Sequence, residues 1–254
     1  MKYLNITTGW EKISVGIDGL NPKIPQYMAD TLPFITTVEK NKYFLTIKKN
    51  GKLKGYCINP GAKISMTLNS NYSEVVLKDQ HLYPFIFAAL YLFSSYIHLK
   101  NNACLIHSAG ISVGKDGIIF AGASGAGKTT LAKKFGLLNV LSDEAVSIKK
   151  IKNEYWMIRT PFGSREMNYV STPTKVKAIF LQTKAKKTAF RDCPYPYSVS
   201  QIIPHIPYLH LMPDEIKKKG FLFINGLCKK VDTIMTAELT LKTKTFSILK
   251  KLGI

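Results

Sequence analysis

A glycine-rich run at residues 122–130 constrains this chain more than any other feature, because it matches the pattern G-x-x-x-x-G-K-[ST]. Glycines allow the backbone to curl until successive N–H groups point at one anion. The apolar stretch Ile118–Ala121 predicts a strand before the run, and the residues after it predict a helix near Thr129–Phe135. Strand, loop and helix in this order predict a phosphate-binding loop. Its members are Gly122, Ala123, Ser124, Gly125, Ala126, Gly127, Lys128, Thr129 and Thr130.

Two side chains of this loop indicate the ligand. Lys128 is placed to reach the β- and γ-phosphates of a nucleotide, and the Thr129 hydroxyl is placed to bind Mg²⁺. The N-terminus of the following helix adds partial positive charge. We therefore expect the cofactors to be ATP, or another nucleoside triphosphate, together with Mg²⁺.

A pair of adjacent carboxylates, Asp143 and Glu144, follows the loop at the end of an apolar run that predicts a short strand. Neighbouring side chains on a strand point to opposite faces, so the pair can divide two roles at the carboxyl end of the strand. One carboxylate would bind Mg²⁺ together with Thr129, and the other would accept the proton from an attacking hydroxyl or water. Asp143 is the preferred general base and Glu144 the preferred metal ligand, and the reverse assignment stays open.

The interval between the loop and the acidic pair separates classes of nucleotide-binding protein. Only one short helix and one strand lie between Lys128 and Asp143. In motor-type and transporter-type ATPases the acidic pair lies much further along the chain, beyond inserted elements. The short interval favours a compact kinase over an ATP-driven motor.

Other segments extend the pattern. Leu105–Ala109 contains His107 and precedes the loop, LSDEAVSI follows it at residues 141–148, and Arg-Thr-Pro-Phe-Gly stands at residues 159–163. Together with the loop they resemble the catalytic domain of bacterial HPr kinase/phosphorylase and its small stand-alone relatives. The resemblance covers residues 102–185. It implies a P-loop core of the α/β class, shared with ATP-dependent phosphoenolpyruvate carboxykinase.

The resemblance also implies roles for single residues. It places His107 beside the acidic pair, where it would orient or tune the base. Phosphoryl transfer needs positive charge on the moving group, and Arg165 is the candidate for that role. HPr kinases assemble as hexamers, so the resemblance makes a homo-oligomer a candidate assembly.

Two departures from the family pattern bear on the acceptor and the site. The acidic pair of the family is often Asp-Asp, whereas this chain has Asp143-Glu144. The HPr kinase signature that follows the core is missing, so HPr is not the expected acceptor. The small relatives occur beside peptide-modification systems, including lasso peptide pathways, in which a peptide serine is the acceptor. The resemblance therefore implies a nucleotide and a peptide, small-protein or small-molecule hydroxyl acceptor as the partners.

The first part of the chain carries no functional motif, and its pattern predicts short strands. Asn50-Gly51 predicts a hairpin turn between the strands Tyr43–Lys48 and Lys52–Ile58. We expect a β-rich N-terminal region at residues 1–80 and a P-loop kinase-like domain at residues 81–254.

The stretch His81–Leu99 contains no Asp, Glu, Lys or Arg, which raises the question of a membrane span. Its length is marginal and it contains Pro84, so the pattern favours a buried core helix that begins near this proline. The N-terminus lacks the apolar region of a signal peptide. The scattered cysteines show no CxxC pairing, which indicates a reducing compartment. We expect a cytoplasmic protein that spans no membrane.

The charge is strongly positive, with 36 Lys and Arg against 16 Asp and Glu and a net charge of +20. Nearly all the basic residues are lysines, whereas sequence-reading nucleic-acid proteins rely on arginine. No helix-turn-helix, zinc-finger or RNA-binding sheet motif is recognisable. We therefore expect no nucleic-acid partner.

Two alternatives to a kinase stay open at the level of the sequence. One is a nucleotide hydrolase, in which Asp143 or Glu144 positions a water molecule. The other is a non-catalytic nucleotide-binding regulatory module that keeps the loop for structural reasons. Release of phosphate without an acceptor distinguishes the first, and tight binding without turnover distinguishes the second.

Overall fold

The structure is a computed structural model, and it describes residues 3–18, 35–37, 42–49, 56–59, 64–68, 72–77, 82–136, 139–163, 172–240 and 242–253. Within these residues the chain forms two β-sheets that pack with α-helices. The prediction of a mixed α/β fold is thereby confirmed. The division of the chain at residue 80 stays a prediction.

The first sheet belongs to the N-terminal part of the chain. Its described strands are β1 (Tyr3–Thr7), β2 (Lys12–Asp18), β3 (Ile35–Thr37), β4 (Tyr43–Lys49), β5 (Tyr56–Asn59), β6 (Ile64–Leu68) and β7 (Tyr72–Leu77). Their order across the sheet is β3-β1-β2-β4-β7-β6-β5. β4 therefore occupies the centre of this sheet.

The predicted hairpin between Tyr43–Lys48 and Lys52–Ile58 is wrong. β4 and β5 overlap the two predicted strands, but the described strands do not pair with each other. β4 runs parallel to both of its neighbours, β2 and β7, and β5 pairs with β6 at the edge of the sheet. The Asn50-Gly51 dipeptide lies outside the described residues. A turn signal reports only local backbone preference, whereas long-range pairing on both edges sets the position of β4.

A long apolar helix, α1 (Leu82–Lys100), follows the first sheet. Every residue from Ala89 to Leu99 is buried, and one hydrophobic cluster joins this helix to Leu45 of β4 and to Leu105 beyond the helix. A helix that is buried on all sides is apolar all round, which explains the uncharged stretch. The prediction of a core helix here is confirmed. No helix among the described residues is long and apolar enough to cross a membrane.

The second sheet follows α1. Its described strands are β8 (Ala103–Val113), β9 (Asp116–Ala121), β10 (Val140–Ser142), β11 (Ala145–Ile151), β12 (Glu154–Arg159), β13 (Thr174–Lys184), β14 (Ala189–Asp192) and β15 (Thr233–Leu239). The pairs β8–β11, β11–β12, β12–β13, β13–β9 and β9–β8 form a closed ring. Closure gives these strands partners that an open edge would lack.

Three parallel strands of this sheet position the glycine-rich loop of residues 122–130. β13 lies between β9 and β15 and runs parallel to both, so their carboxyl ends meet at one edge. The remaining helices are α2 (Lys128–Lys134), α3 (Tyr197–Ile202), α4 (Asp214–Cys228) and α5 (Thr245–Lys251), with 3₁₀ turns at Ile203–His205 and Leu209–Leu211. Phe120 and Phe180 stack with their ring centroids 5.5 Å apart, in a cluster that also contains Leu131 of α2 and Ile248 of α5.

The stability of the fold should fall as the solution is acidified, because α1 buries His98 completely. Burial lowers the pKa of His98 from 6.5 to about 4, and its Nδ1 donates to the Ser94 carbonyl oxygen at 2.6 Å. The unfolded chain therefore binds a proton that the folded chain rejects between these pH values. We predict that this histidine costs about 3 kcal/mol of unfolding free energy between pH 6.5 and pH 4.

Urea unfolding at several pH values measures this loss. His98→Gln should give a shallower dependence of unfolding free energy on pH than the wild type. His210→Gln is the matched control, since this histidine is exposed, and it should keep the wild-type slope. Equal slopes in all three proteins would contradict the prediction.

Candidate functional site

The glycine-rich loop of residues 122–130, for which the sequence predicts phosphate binding, connects β9 to α2 at the edge where the parallel strands end. Gly125 and Gly127 have φ angles of +78° and +91°, a left-handed conformation that L side chains rarely adopt. Gly122 has another reason to lack a side chain, because a Cβ there would lie 2.3 Å from the carbonyl oxygen of Gln182. The glycines of the motif are thus required by the backbone path of the loop.

Lys128 is the first residue of α2, and only 7% of it is exposed. Its Nζ donates to the carbonyl oxygens of Gly122 at 2.8 Å and Ala123 at 3.1 Å. An ammonium has three N–H donors, so one remains for an anionic ligand. Burial lowers the Lys128 pKa, and the nearby Glu144 opposes that shift.

Gln182 on β13 binds the loop, and no motif in the sequence predicted this contact. Its side chain is 3% exposed, and Nε2 donates to the Ala126 carbonyl oxygen at 2.7 Å. A strand glutamine far along the chain has no motif that links it to the loop. Only the parallel pairing of β13 with β9 brings the two together.

The acidic pair lies in a bend and not on a strand, because β10 ends at Ser142 and β11 begins at Ala145. The Ser142 hydroxyl donates to the Phe162 carbonyl oxygen at 3.2 Å and accepts from the Ala145 amide at 3.1 Å. The Glu144 carbonyl oxygen accepts from the Ser108 amide at 3.1 Å. These bonds fix the bend against β8.

The two carboxylates have different environments. Asp143 is 4% exposed, and the Thr129 hydroxyl donates to its carbonyl oxygen at 3.4 Å. The Glu144 side chain is 43% exposed, and Oε1 lies 3.5 Å from Nδ1 of His107. Burial raises the pKa of Glu144, while Lys128 lowers it and Asp143 raises it. Burial, with a smaller effect of Lys128, lowers the His107 pKa.

One cavity of about 590 Å³ brings several of the predicted site residues together. Its lining includes the start of the phosphate loop, Gly122, Ala123 and Ser124, together with His107 and Glu144. A smaller cavity of about 170 Å³ lies at the other end of the loop, beside Gly125, Ala126, Gly127 and Thr130. The loop therefore has open space at both ends.

The segment 204–208, together with His210, forms a further wall of the larger cavity, and no motif in the sequence predicted it. Burial lowers the pKa of His205 to about 4, and the charges of His107 and Lys128 act in the same direction. The prolines at 204 and 207 interrupt any helical or strand period. No local pattern therefore marks the wall as part of a site.

Arg165, the predicted stabiliser of the moving phosphoryl group, lies outside the described residues. Gly163 is the last described residue before it in the chain. The ring of Phe162 is fully buried and lies 4.6 Å from that of Tyr91, which lines the larger cavity. The role of Arg165 stays a prediction.

The donor chemistry of the site suits Mg²⁺. Among the residues that the structure describes, no group of three His, Cys, Asp or Glu side chains is placed to hold a metal ion. Thr129, Asp143 and Glu144 offer oxygen donors only, which Mg²⁺ prefers. Mg²⁺ in nucleotide sites takes most of its ligands from phosphates and water, so these few protein donors fit it.

Comparisons with known proteins found no match to any family model and none to a curated protein.

Hydrogen–deuterium exchange of the loop amides can test the hydrogen bond from Gln182 to the loop. Gln182→Met keeps the size of the side chain and removes the donor to Ala126. The buried Oε1 of Gln182 has no hydrogen-bond partner in the described structure, so its removal offsets part of the loss in global stability. We predict faster amide exchange of residues 122–130 by hydrogen–deuterium exchange mass spectrometry.

Gln201→Met on α3 is the control for this measurement, since it makes the same chemical change away from the loop. Its exchange at residues 122–130 should match the wild type. Unchanged loop exchange in Gln182→Met would show that the bond does not hold the loop.

Proposed function

We propose that the protein is an ATP-dependent, Mg²⁺-requiring kinase that phosphorylates a serine-type hydroxyl. The observation that carries this proposal is the cavity of about 590 Å³, which the start of the phosphate loop shares with Glu144 and His107. A phosphate donor, a base and room for an acceptor would meet in that cavity. The resemblance to HPr kinase-like proteins points to the same chemistry.

The loop and Lys128 would bind the triphosphate. The backbone N–H groups of a curled glycine loop suit phosphate oxygens, and the remaining N–H of Lys128 would donate to the β- and γ-phosphates. Thr129 and Asp143 would hold Mg²⁺, which supplies positive charge to the phosphates when it is bound. Asp143 is placed for this role because the Thr129 hydroxyl donates to its backbone carbonyl oxygen at 3.4 Å, which brings the two residues together.

Glu144 would act as the general base, the reverse of the assignment preferred from sequence. Its side chain lines the cavity, whereas Asp143 does not. The carboxylate would take the hydroxyl proton while the acceptor oxygen bonds to the γ-phosphorus and the bond from phosphorus to the bridging oxygen of ADP breaks. The raised pKa of Glu144 makes it a stronger base than an ordinary glutamate.

The residues that line the cavity indicate what kind of acceptor it can bind. Phe87, Tyr91, Ile206 and Tyr208 contribute apolar and aromatic surface. This lining suits a hydroxyl carried on a peptide, a small protein or a small molecule with apolar neighbours. Modification of a peptide, as in the systems beside which the small relatives occur, fits it.

The first test is nucleotide binding. Lys128→Met removes a charged donor, and we predict that it weakens binding of a fluorescent ATP analogue about tenfold or more. The matched control is Lys115→Met, which makes the same charge change at an exposed turn and should leave binding unchanged. Equal affinity of both variants for the analogue would remove Lys128 from the site.

The second test separates the two carboxylates. With γ-labelled ATP, Mg²⁺ and a library of serine-containing peptides, we predict that Glu144→Gln lowers phosphoryl transfer about 100-fold or more while ATP affinity is kept. Asp143→Asn should instead raise the Mg²⁺ concentration that transfer requires.

The dependence of phosphoryl transfer on pH tests whether Glu144 is the base. The base must be deprotonated, so wild-type transfer should fall as pH drops through the Glu144 pKa, at a pH above the pKa of an ordinary glutamate.

Phosphate release without any acceptor would indicate a hydrolase. Tight ATP binding without turnover would indicate a regulatory module.

A further inference from the structure

A groove of about 230 Å³ lies at the C-terminal end of α1, and it is separate from the two cavities beside the loop. Its floor contains Leu99 from the end of α1, Tyr155 from β12 and Phe223 from α4, all buried. Leu222, Lys150 and Lys219 stand at its exposed rim. The groove thus combines an apolar floor with a basic rim.

Close packing of α4 against β12 builds the floor. The rings of Tyr155 and Phe223 meet edge to face with their centroids 5.4 Å apart. A Cβ at Gly226 would lie only 2.4 Å from the Tyr155 hydroxyl oxygen, so the glycine allows Tyr155 to pack this closely against α4. The floor is therefore a rigid surface of packed side chains.

Two large apolar side chains next to the floor face solvent. Leu222 is 55% exposed and Phe221 is 50% exposed. Both lie outside the buried face of α4, which contains Ile216, Gly220, Phe223, Ile224, Leu227 and Cys228. Adjacent exposed apolar side chains beside a preformed apolar groove are typical of a protein interaction site.

The charges around the groove select the partner. Lys150 and Lys219 form no ion pair with another described residue. Lys218 is exposed on the same helix, and Glu215 lies one turn before Lys219. The excess of positive charge favours an acidic partner.

The charge of the protein and the apolar floor disfavour two other occupants of the groove. A second copy of the chain would bring another net charge of +20 to the contact, and two such proteins repel each other. A nucleic acid would match the lysines but would leave Leu222 and the apolar floor without a suitable contact.

We propose that this groove docks an acidic segment of another protein. The segment inserts an apolar side chain over Tyr155 and Phe223, and its carboxylates contact Lys150 and Lys219. The proposal does not depend on catalysis. From Tyr91 in the active-site cavity to Leu99 in the groove, α1 rises about 12 Å, so the two sites can be altered separately.

Binding of two labelled peptides by fluorescence anisotropy tests the proposal. One peptide alternates glutamate with leucine, and the other has the same length and charge but alternates glutamate with serine. We expect the leucine peptide to bind at least tenfold more tightly. Leu222→Ser, an exposed change that leaves the core intact, should abolish most of that difference.

A matched pair of double variants separates the effect of the groove lysines on peptide binding from the effect of the net charge of the protein. Lys150→Glu with Lys219→Glu should weaken binding of the leucine peptide at least tenfold. Lys250→Glu with Lys251→Glu makes the same charge change on exposed residues of α5 and should change it less than twofold. Retained binding of the ATP analogue in all variants would show that the active-site cavity is intact.

Several results would overturn the proposal. Equal affinity for the two peptides, or equal loss in the two double variants, would show nonspecific charge attraction only. Tighter binding of single-stranded DNA than of the leucine peptide would identify a nucleic-acid surface. A dimer that Leu222→Ser dissociates, measured by sedimentation, would assign the groove to self-association.

Discussion

The contact between the glycine-rich loop of residues 122–130 and β13 is the constraint on which the rest of the candidate site depends. Gly122 passes so close to the Gln182 carbonyl that no side chain fits, and the Gln182 amide holds the Ala126 carbonyl. Lys128 then binds the carbonyls at the start of the loop. The loop is thus held at its start and near its end. This contact exists because β13 runs parallel to β9, so that both strands end at the same edge of the sheet.

A second constraint fixes the acidic bend. The Ser142 hydroxyl and the amide of Ser108 bind the backbone on the two sides of the bend, which favours the observed positions of Asp143 and Glu144. The result is one buried aspartate and one glutamate at a cavity wall. Residues of nearly identical chemistry acquire different proposed roles through their different surroundings, as environment divides the roles of paired carboxylates in other enzymes.

The sequence predicted the features that depend on local pattern. The strand, the glycine loop and the helix of the phosphate loop follow one another along the chain, and the uncharged stretch of α1 marks a buried helix. It could not predict contacts between distant residues. Gln182 and His205 lie far along the chain from the loop, and the parallel partners of β4 override the local turn signal at Asn50-Gly51. The different burial of Asp143 and Glu144 depends on bonds to Phe162 and Ser108, which no spacing rule contains.

The electrostatics of the larger cavity follow from burial of its titratable groups and from the nearby charge of Lys128. Burial is the main cause that lowers the pKa values of His107 and His205, and the Lys128 charge adds to it. Both imidazoles are therefore neutral at pH 7, whereas Lys128 carries a positive charge at the start of the loop. Neutral imidazoles can orient Glu144 or an acceptor by hydrogen bonds without stabilising the carboxylate as a cation would. The arrangement keeps Glu144 basic while the positive charge stays where the phosphates of a nucleotide would bind.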